Sequence, residues 1–339
     1  MKLIKTTEAA GHVLCHDMTQ IIPGVTKDAL FRKGHIVTEE DIPLLLSIGK
    51  DRLYVWEQDD TKYHENEAAD ILRSLCQNEY MSATEPKEGK IELIAETDGL
   101  FLVDEERLIR LNSLGEMMIA TRHGNFPVKK GDKLAGARVI PLVIEKEKME
   151  EARRAVGNEP LLALLPYKKK RAGIVTTGNE VFYGRIEDKF GPVVEAKLEE
   201  FGVDVLGQTI MNDDPDKISA SIREWLEQGA DFVVCTGGMS VDPDDTTPTA
   251  IKNTGAEIIS YGAPVLPGAM FLMAYTKDKR PVVGLPGCVM YAKRTIFDLV
   301  LPKIMADVEV TKQDLARLGM GGLCLGCATC IFPNCGFGK

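Results

Sequence analysis

The chain lacks an apolar run of about 18 residues, the length at which a stretch becomes a candidate membrane span. Its first residues, MKLIKTTEAAG, also lack the apolar core of a signal peptide, and this absence predicts a cytoplasmic protein. Positive charge is in deficit, since 41 Lys and Arg stand against 51 Asp and Glu. We therefore expect neither a membrane nor a nucleic acid as a partner.

Length and apolar content predict more than one domain. The 339 residues exceed what one hydrophobic core usually organises, and 44% hydrophobic residues is an ordinary globular composition. Residues 1–165 combine helical patterns with short strand patterns, one of them at 108–111. This mixture indicates an N-terminal α+β region with a small β-rich module, which could also serve in dimerisation.

Strand and helix patterns alternate regularly between residues 166 and 308. Three short runs without polar alternation are typical of strands covered on both faces. These runs are 172–175, 231–235 and 280–284. The helical patterns are 188–201, 214–228 and 289–305, the last with Tyr291 on its buried side. We therefore predict a three-layer, doubly wound α/β domain with a mostly parallel sheet over 166–308.

Loops rich in Gly, Thr and Asp follow all three predicted strands. They are TTGNE at 176–180, TGGMSVDPDDTT at 236–247 and LPG at 285–287. In a parallel sheet, ligands bind at the carboxyl ends of the strands, where loop amides can point at an anion. The sequence therefore predicts a site for a phosphorylated ligand. The carboxylates of Asp242 and Asp244 would suit Mg²⁺ shared with a phosphate.

Four of the eight cysteines lie together in the C-terminal segment GGLCLGCATCIFPNCGFGK. They are Cys324, Cys327, Cys330 and Cys335, spaced C-x2-C-x2-C-x4-C. In a cytosolic protein, such thiolates are poor disulfide partners and good metal ligands, so residues 309–339 are expected to form a metal-binding tail. The paired two-residue spacing favours an iron–sulfur cluster. A structural four-cysteine Zn²⁺ site is the rival, and an unmetallated redox or sulfur-handling tail is the third interpretation.

The order of the loop motifs resembles the molybdopterin-binding domain shared by MoeA-like molybdopterin molybdotransferases, MogA and MoaB proteins, and CinA. The motifs are TTGNE, NDDPD at 212–216, TGGMSVDPDDTT, PVLPG at 264–268 and VGLPG at 283–287. The segment PGVTKDALFRKGHIVTEEDI also resembles the N-terminal part of clostridial-type MoeA-like proteins. The resemblance implies molybdenum cofactor biosynthesis, with adenylated molybdopterin and molybdate as substrates, assistance by Mg²⁺ and release of AMP.

The resemblance also implies a role for each matching residue. Those expected to bind the pterin are Thr177, Gly178, Asn179, Glu180, Thr236, Gly237, Gly238, Met239, Ser240, Pro286 and Gly287. Small residues at 237, 238 and 240 would let backbone amides approach the terminal phosphate. The expected catalytic residues are Asp245, Ser240 and Glu180, and the expected metal ligands of this loop are Asp242, Asp244 and Asp245.

Departures from the family pattern leave alternatives open. The transferases carry two lysines around the PVLPG turn, where this chain has Leu266 and Ala269, and a second proline where it has Cys288 and Val289. Where the family continues with a β-barrel domain, this sequence has the cysteine tail. A non-catalytic molybdopterin carrier or insertion chaperone and a CinA-type nucleotide hydrolase therefore remain alternatives. The resemblance further implies a homodimer, and a molybdoenzyme or another cofactor-biosynthesis protein as partner.

Overall fold

The computed structural model describes residues 1–22, 26–55, 59–240, 242 and 245–339. The chain divides into two compact units. The first consists of residues 1–96, 103–122 and 131–163, and the second of residues 97–102, 123–130 and 164–339. The cysteine segment therefore belongs to the second unit. The boundaries predicted at 165/166 and 308/309 stay predictions.

The strands, in chain order, are β1 (Lys2–Lys5), β2 (Met18–Ile22), β3 (Thr26–Phe31), β4 (Arg52–Val55), β5 (Lys62–His64), β6 (Met81–Ala83), β7 (Lys90–Ala95), β8 (Gly99–Val103), β9 (Met117–Thr121), β10 (Phe126–Val128), β11 (Lys133–Val139), β12 (Val143–Glu145), β13 (Leu162–Pro166), β14 (Arg171–Thr177), β15 (Asp204–Met211), β16 (Phe232–Thr236), β17 (Glu257–Tyr261), β18 (Leu272–Tyr275) and β19 (Pro281–Leu285). The helices are α1 (Asp41–Ser47), α2 (Glu65–Cys76), α3 (Glu105–Asn112), α4 (Lys146–Val156), α5 (Asn179–Phe182), α6 (Phe190–Glu199), α7 (Pro215–Glu227), α8 (Thr247–Asn253), α9 (Ile296–Met305) and α10 (Lys312–Arg317). Within the described ranges, no helix combines the length and the apolar character that crossing a membrane requires.

The first unit is built from small antiparallel sheets and helices. Its largest sheet has the order β6-β7-β11-β9, and α2 packs against β7 and β11. The sequence predicts a strand at 108–111, and this prediction is wrong because the segment lies in α3. The carboxylate of Asp104 accepts a hydrogen bond from the amide of Arg107. This N-cap starts a helix where the apolar spacing alone favoured a strand.

The second unit contains a six-stranded sheet in the order β15-β14-β16-β19-β18-β17. The first four strands are parallel, and the last two are antiparallel to their neighbours. Alternate side chains of the central strands point into two separate apolar clusters. Helices α6 and α9 contribute to one cluster, and α7 and α8 to the other, so helices cover both faces. The prediction of a mixed α/β fold is confirmed, and the antiparallel pairing of β18 with β19 and of β17 with β18 is an addition to it.

Capping residues determine where the helices of this unit begin. Asp214 accepts hydrogen bonds from two amides of the first turn of α7, with Pro215 at its first position, as the sequence predicts. The helix predicted at 289–305 begins later, because Thr295 and Asp298 form a capping box before Ile296. Tyr291 therefore lies outside the helix and is 80% exposed, so the prediction that it is buried is wrong.

A buried ion pair connects α6 with the start of α9. The Nζ atom of Lys197 lies 2.9 Å from both carboxylate oxygens of Asp298, and the two side chains are 8% and 3% exposed. The same carboxylate accepts hydrogen bonds from Arg294 at 2.8 Å and from the amide of Thr295 at 2.7 Å. Lys197 also donates to the carbonyl of Lys293 at 3.1 Å. These bonds compensate the burial of the charges and fix the segment that leads into α9.

We expect Asp298→Ala to lower the free energy of unfolding by about 3–5 kcal/mol, because the buried Lys197 ammonium loses its carboxylate. Chemical denaturation followed by circular dichroism measures this loss. Glu309→Gln is the matched control, because it breaks an exposed pair with Lys279, and its denaturation midpoint should not change. If Asp298→Ala costs no more than this control, the buried pair does not hold α9.

Candidate functional site

The three Gly-rich loops lie next to one another at one edge of the sheet of the second unit. Strands β14, β16 and β19 are parallel neighbours, with Thr176 opposite Thr236 and Thr236 opposite Leu285. All three strands therefore end at the same edge of the sheet. Segments 177–180, 236–247 and 286–287 are brought together there, at the carboxyl ends where parallel sheets bind ligands.

Two successive glycines hold the second loop against the first. Gly237 has a φ of 82°, and a β carbon at this position would overlap the carbonyl oxygen of Thr177. Gly238 has a φ of 53°, and a β carbon there would lie 2.9 Å from Oγ1 of Thr247. Only glycine adopts this backbone at so close an approach without strain. The contact between the loops therefore depends on backbone atoms.

The second loop offers backbone amides to a ligand. Among the residues that the structure describes, none accepts a hydrogen bond from the amides of Gly238, Met239 or Ser240. The side chain of Met239 is 3% exposed and points into the core, where a β carbon on Gly284 would lie 2.5 Å from its terminal methyl. Met239 can therefore contribute only its backbone to a site, and Ser240 is exposed. Consecutive amides of this kind suit the oxygens of an anion.

Hydrogen bonds of buried threonines connect the loops. Oγ1 of Thr247 donates to the carbonyl of Gly237 at 2.9 Å and lies 3.0 Å from Oγ1 of Thr177. Oγ1 of Thr236 donates to Oγ1 of Thr176 at 3.1 Å. Thr177 and Thr236, both predicted to bind the ligand, are buried, so their side chains support the loops. The sequence gives no sign of the role of Thr247, because its partner Thr177 is distant along the chain.

Asp213 connects the first loop with the second. Its carboxylate accepts a hydrogen bond from the amide of Asn179 at 2.9 Å, and its carbonyl accepts one from Thr246 at 3.1 Å. Asp213 belongs to the NDDPD motif, but its role in joining the two loops is not predicted from the sequence. The amide of Gly178 donates to the carbonyl of strand β15 at Met211, at 3.2 Å. The side chain of Glu180 is exposed beside this turn.

Tyr261, at the end of β17, binds the second loop through its hydroxyl group. Its hydroxyl lies 3.1 Å from the carbonyl oxygen of Met239 and 3.0 Å from that of Ser240. Burial, and then the charge of Asp245, raise the pKa of Tyr261 above its ordinary value, so the hydroxyl keeps its proton and remains a donor. Tyr261 lies outside the loop motifs, so its role is not predicted from the sequence.

Two hydrogen bonds join Asp242 and Asp245 in the second loop. The amide of Asp242 donates to the carboxylate of Asp245, and the amide of Asp245 donates to the carbonyl of Asp242, both at 2.9 Å. The first of these bonds holds Asp245 through one carboxylate oxygen. The predicted ligand Asp244 lies outside the described residues. Nowhere in the described ranges do three His, Cys, Asp or Glu side chains converge as a metal ion would require.

The third loop has an open position at Gly287. Pro286 is buried, whereas Gly287 is exposed, and a β carbon on it would meet no atom within 4 Å. A side chain can therefore be added at 287 without a clash. Cys288 follows and is half-buried, and burial raises the pKa of its thiol. At neutral pH this cysteine is therefore protonated.

The turn at 264–268 lies at the same edge of the sheet. Strand β18 follows this turn, and its first residue, Leu272, pairs with Gly284 near the end of β19. The amide of Ile296, at the start of α9, donates to the carbonyl of Pro267 at 3.2 Å. The turn is therefore attached to the sheet on one side and to α9 on the other.

Comparison with known proteins identifies the domain that carries these loops. Residues 173–306 match the model of a family described as a probable molybdopterin binding domain, and residues 3–57 match a domain of unknown function. CinA-like proteins of Mycobacterium tuberculosis and Mycobacterium bovis are 41% identical over 90 residues, which is 26% of this chain. The chain spans only 21% of the length of these curated relatives.

Solved structures similar to this chain include MoaB from Pyrococcus furiosus, MoaB from Thermus thermophilus and CinA from Thermoplasma acidophilum. Their sequence identities are 24%, 21% and 22%, with TM-scores of 0.31, 0.34 and 0.33. The matches cover 36%, 40% and 40% of this chain and 84%, 91% and 98% of those chains. The family model and the identity to CinA-like proteins confirm, for residues 173–306, the resemblance to the molybdopterin-binding domain of MogA, MoaB and CinA.

Proposed function

We propose that the loops at the strand ends bind molybdopterin, with its terminal phosphate on Gly237 and Gly238. The most direct support comes from the second loop. Its two glycines have positive φ angles, and the amides of residues 238–240 have no hydrogen-bond acceptor in the described part of the chain. Such a loop lets phosphate oxygens approach the backbone and needs no cation. Membership of residues 173–306 in a molybdopterin-binding family supports the choice of ligand.

The proposed reaction is the insertion of molybdate into adenylated molybdopterin. The pterin would lie across the strand ends, with its dithiolene toward a molybdate ion near Ser240 and Asp245. Cleavage of the pyrophosphate bond would release AMP as molybdenum enters the dithiolene, and tungstate is an alternative oxyanion. The carboxylates of Asp242, Asp244 and Asp245, together with a substrate phosphate, would hold Mg²⁺, which supplies charge neutralisation during this cleavage.

Two alternatives have their own support. A non-catalytic carrier is favoured by Leu266 and Ala269, which stand where the transferases carry lysines, because fewer cations weaken the hold on an oxyanion. A nucleotide hydrolase of the CinA type is favoured by the identity to CinA-like proteins. Incubation with adenylated molybdopterin, molybdate and Mg²⁺ separates the three. A transferase gives AMP and active cofactor, a carrier binds without releasing AMP, and a hydrolase ignores the pterin and cleaves another nucleotide.

The four C-terminal cysteines stay the proposed ligands of a metal centre, either an iron–sulfur cluster or Zn²⁺. Cys324 and Cys335 are half-buried, whereas Cys327 and Cys330 are exposed. A homodimer, and a recipient molybdoenzyme or cofactor-biosynthesis protein, are also proposals.

We expect Gly287→Val to weaken molybdopterin binding by about tenfold or more without changing the melting temperature, because the side chain enters open space beside the loops. Isothermal titration calorimetry measures the affinity. Gly136→Val is the matched control, because it adds the same side chain to β11 of the first unit, where the nearest atoms are 4.0 Å away. Equal affinities of both variants and the parent protein would move the pterin site away from the third loop.

We expect Asp245→Asn to keep molybdopterin binding but to lower AMP release by about a hundredfold, because charge is lost near the reacting phosphates. The asparagine oxygen can still accept the hydrogen bond from the amide of Asp242, so this contact is preserved. Release of AMP from adenylated molybdopterin is followed by chromatography. Glu257→Gln, an exposed carboxylate at the other end of β17, is the control. Undiminished release by Asp245→Asn would exclude this carboxylate from the reaction.

A further inference from the structure

A cavity of about 420 Å³ lies in the second unit, between the segment before α9 and the C-terminal tail. All four cysteines of the tail line it, although Cys324 and Cys335 are eleven positions apart in the sequence. Other lining residues are Pro267, Lys293, Arg294, Leu323, Ile331 and Phe332. The tail therefore folds around one shared volume instead of extending away from the domain.

The arrangement of the four thiols around this cavity bears on the choice between the two metal species predicted from the cysteine spacing. A single Zn²⁺ ion holds its sulfur ligands at about 2.3 Å, so a four-cysteine zinc site closes around the ion. The cavity of about 420 Å³ is many times the volume of roughly 30 Å³ that one water molecule occupies in the liquid. Within the described ranges no three of these thiols converge as a single ion would require, whereas all four line this one volume, an arrangement that suits a larger body made of several irons and sulfides.

Two cations border the cavity. Nζ of Lys293 donates to the carbonyl of Ala328 at 3.3 Å, and the guanidinium of Arg294 lies 5.3 Å from the ring centre of Phe332. Arg294 is itself held by Asp298, the carboxylate that pairs with Lys197. An iron–sulfur cluster with four cysteine ligands carries negative charge, which neighbouring cations stabilise. The surroundings therefore match an anionic occupant.

Backbone hydrogen bonds attach the tail to the turn at 264–268. The amide of Leu266 donates to the carbonyl of Gly322, and the amide of Cys324 donates to the carbonyl of Leu266, both at 2.8 Å. Pro267, in the same turn, lines the cavity. A change in the position of Cys324 is therefore passed directly to this turn, which lies at the edge of the sheet where the three loops meet.

We propose that the cavity holds an iron–sulfur cluster and that loading of the cluster orders the turn at 264–268. Cys324 would be a cluster ligand through its side chain and a partner of Leu266 through its backbone, so fixing the thiolate also fixes the turn. Binding that orders a segment favours a second ligand that needs the same order, and the coupling is reciprocal. Tighter pterin binding by the loaded protein rests on the proposed function, whereas the cluster and the ordered turn do not.

The first experiment measures what the cavity binds. Full-length protein, purified anaerobically and reconstituted with ferrous iron and sulfide, should be brown and contain about four irons and four sulfides per chain if the cluster is of the cubane type. Cys330→Ser should lose the colour and most of the iron, whereas Cys288→Ser, which changes a cysteine outside the tail, should keep both. Colourless protein with one zinc and no sulfide would overturn the proposal.

The second experiment measures the turn by hydrogen exchange of the loaded protein and of the Cys330→Ser variant. The amides of Leu266 and Cys324 should exchange about tenfold more slowly in the loaded protein, while those of β16 stay unchanged. A loaded protein with unchanged exchange at 264–268 would overturn the coupling. If the turn becomes ordered but neither protein binds molybdopterin, the cluster proposal stands and the proposed function is wrong. Tighter molybdopterin binding by the loaded protein alone supports both.

Discussion

The contact between Gly237 and the carbonyl of Thr177 determines how the candidate site is built. A side chain at 237 would overlap this carbonyl, so glycine is required where the second loop crosses the first. Once the two backbones touch, Thr247 can bond to both, and the following amides are left for a ligand. The site is therefore assembled mainly from backbone atoms, and its side chains act chiefly by holding the loops in place.

A second constraint is the carboxylate of Asp298, which organises the region beside the loops. It receives Lys197 from α6 and Arg294 from the segment before α9, and it caps α9 itself. Arg294 then borders the cysteine cavity, and Pro267 connects that cavity to the turn at 264–268. The proposed pterin loops and the cysteine tail thus share one supporting framework within the second unit. This arrangement gives a physical reason why the cysteine tail could influence the site.

Local signals in the sequence predict much of this fold, but they do not reveal residues that act through contacts distant along the chain. Strands β14, β16 and β19 and the cap at Asp214 follow from patterns a few residues long, whereas β15, β17 and β18 are not predicted. Thr247 and Tyr261 act through hydrogen bonds to residues far along the chain, so no local pattern reveals them. The start of α9 depends on a capping box that competes with a continuous apolar pattern, and the cap prevails.

The central claim is that the Gly237–Gly238 loop binds the terminal phosphate of the pterin. The most direct measurement compares the affinity of the full chain for molybdopterin with its affinity for the same pterin after enzymatic removal of that phosphate. Two charge-assisted hydrogen bonds from loop amides are worth about 3 kcal/mol, so the dephosphorylated pterin should bind about a hundredfold more weakly. Equal affinities for the two forms would contradict the account, because the loop would then have no part in recognition.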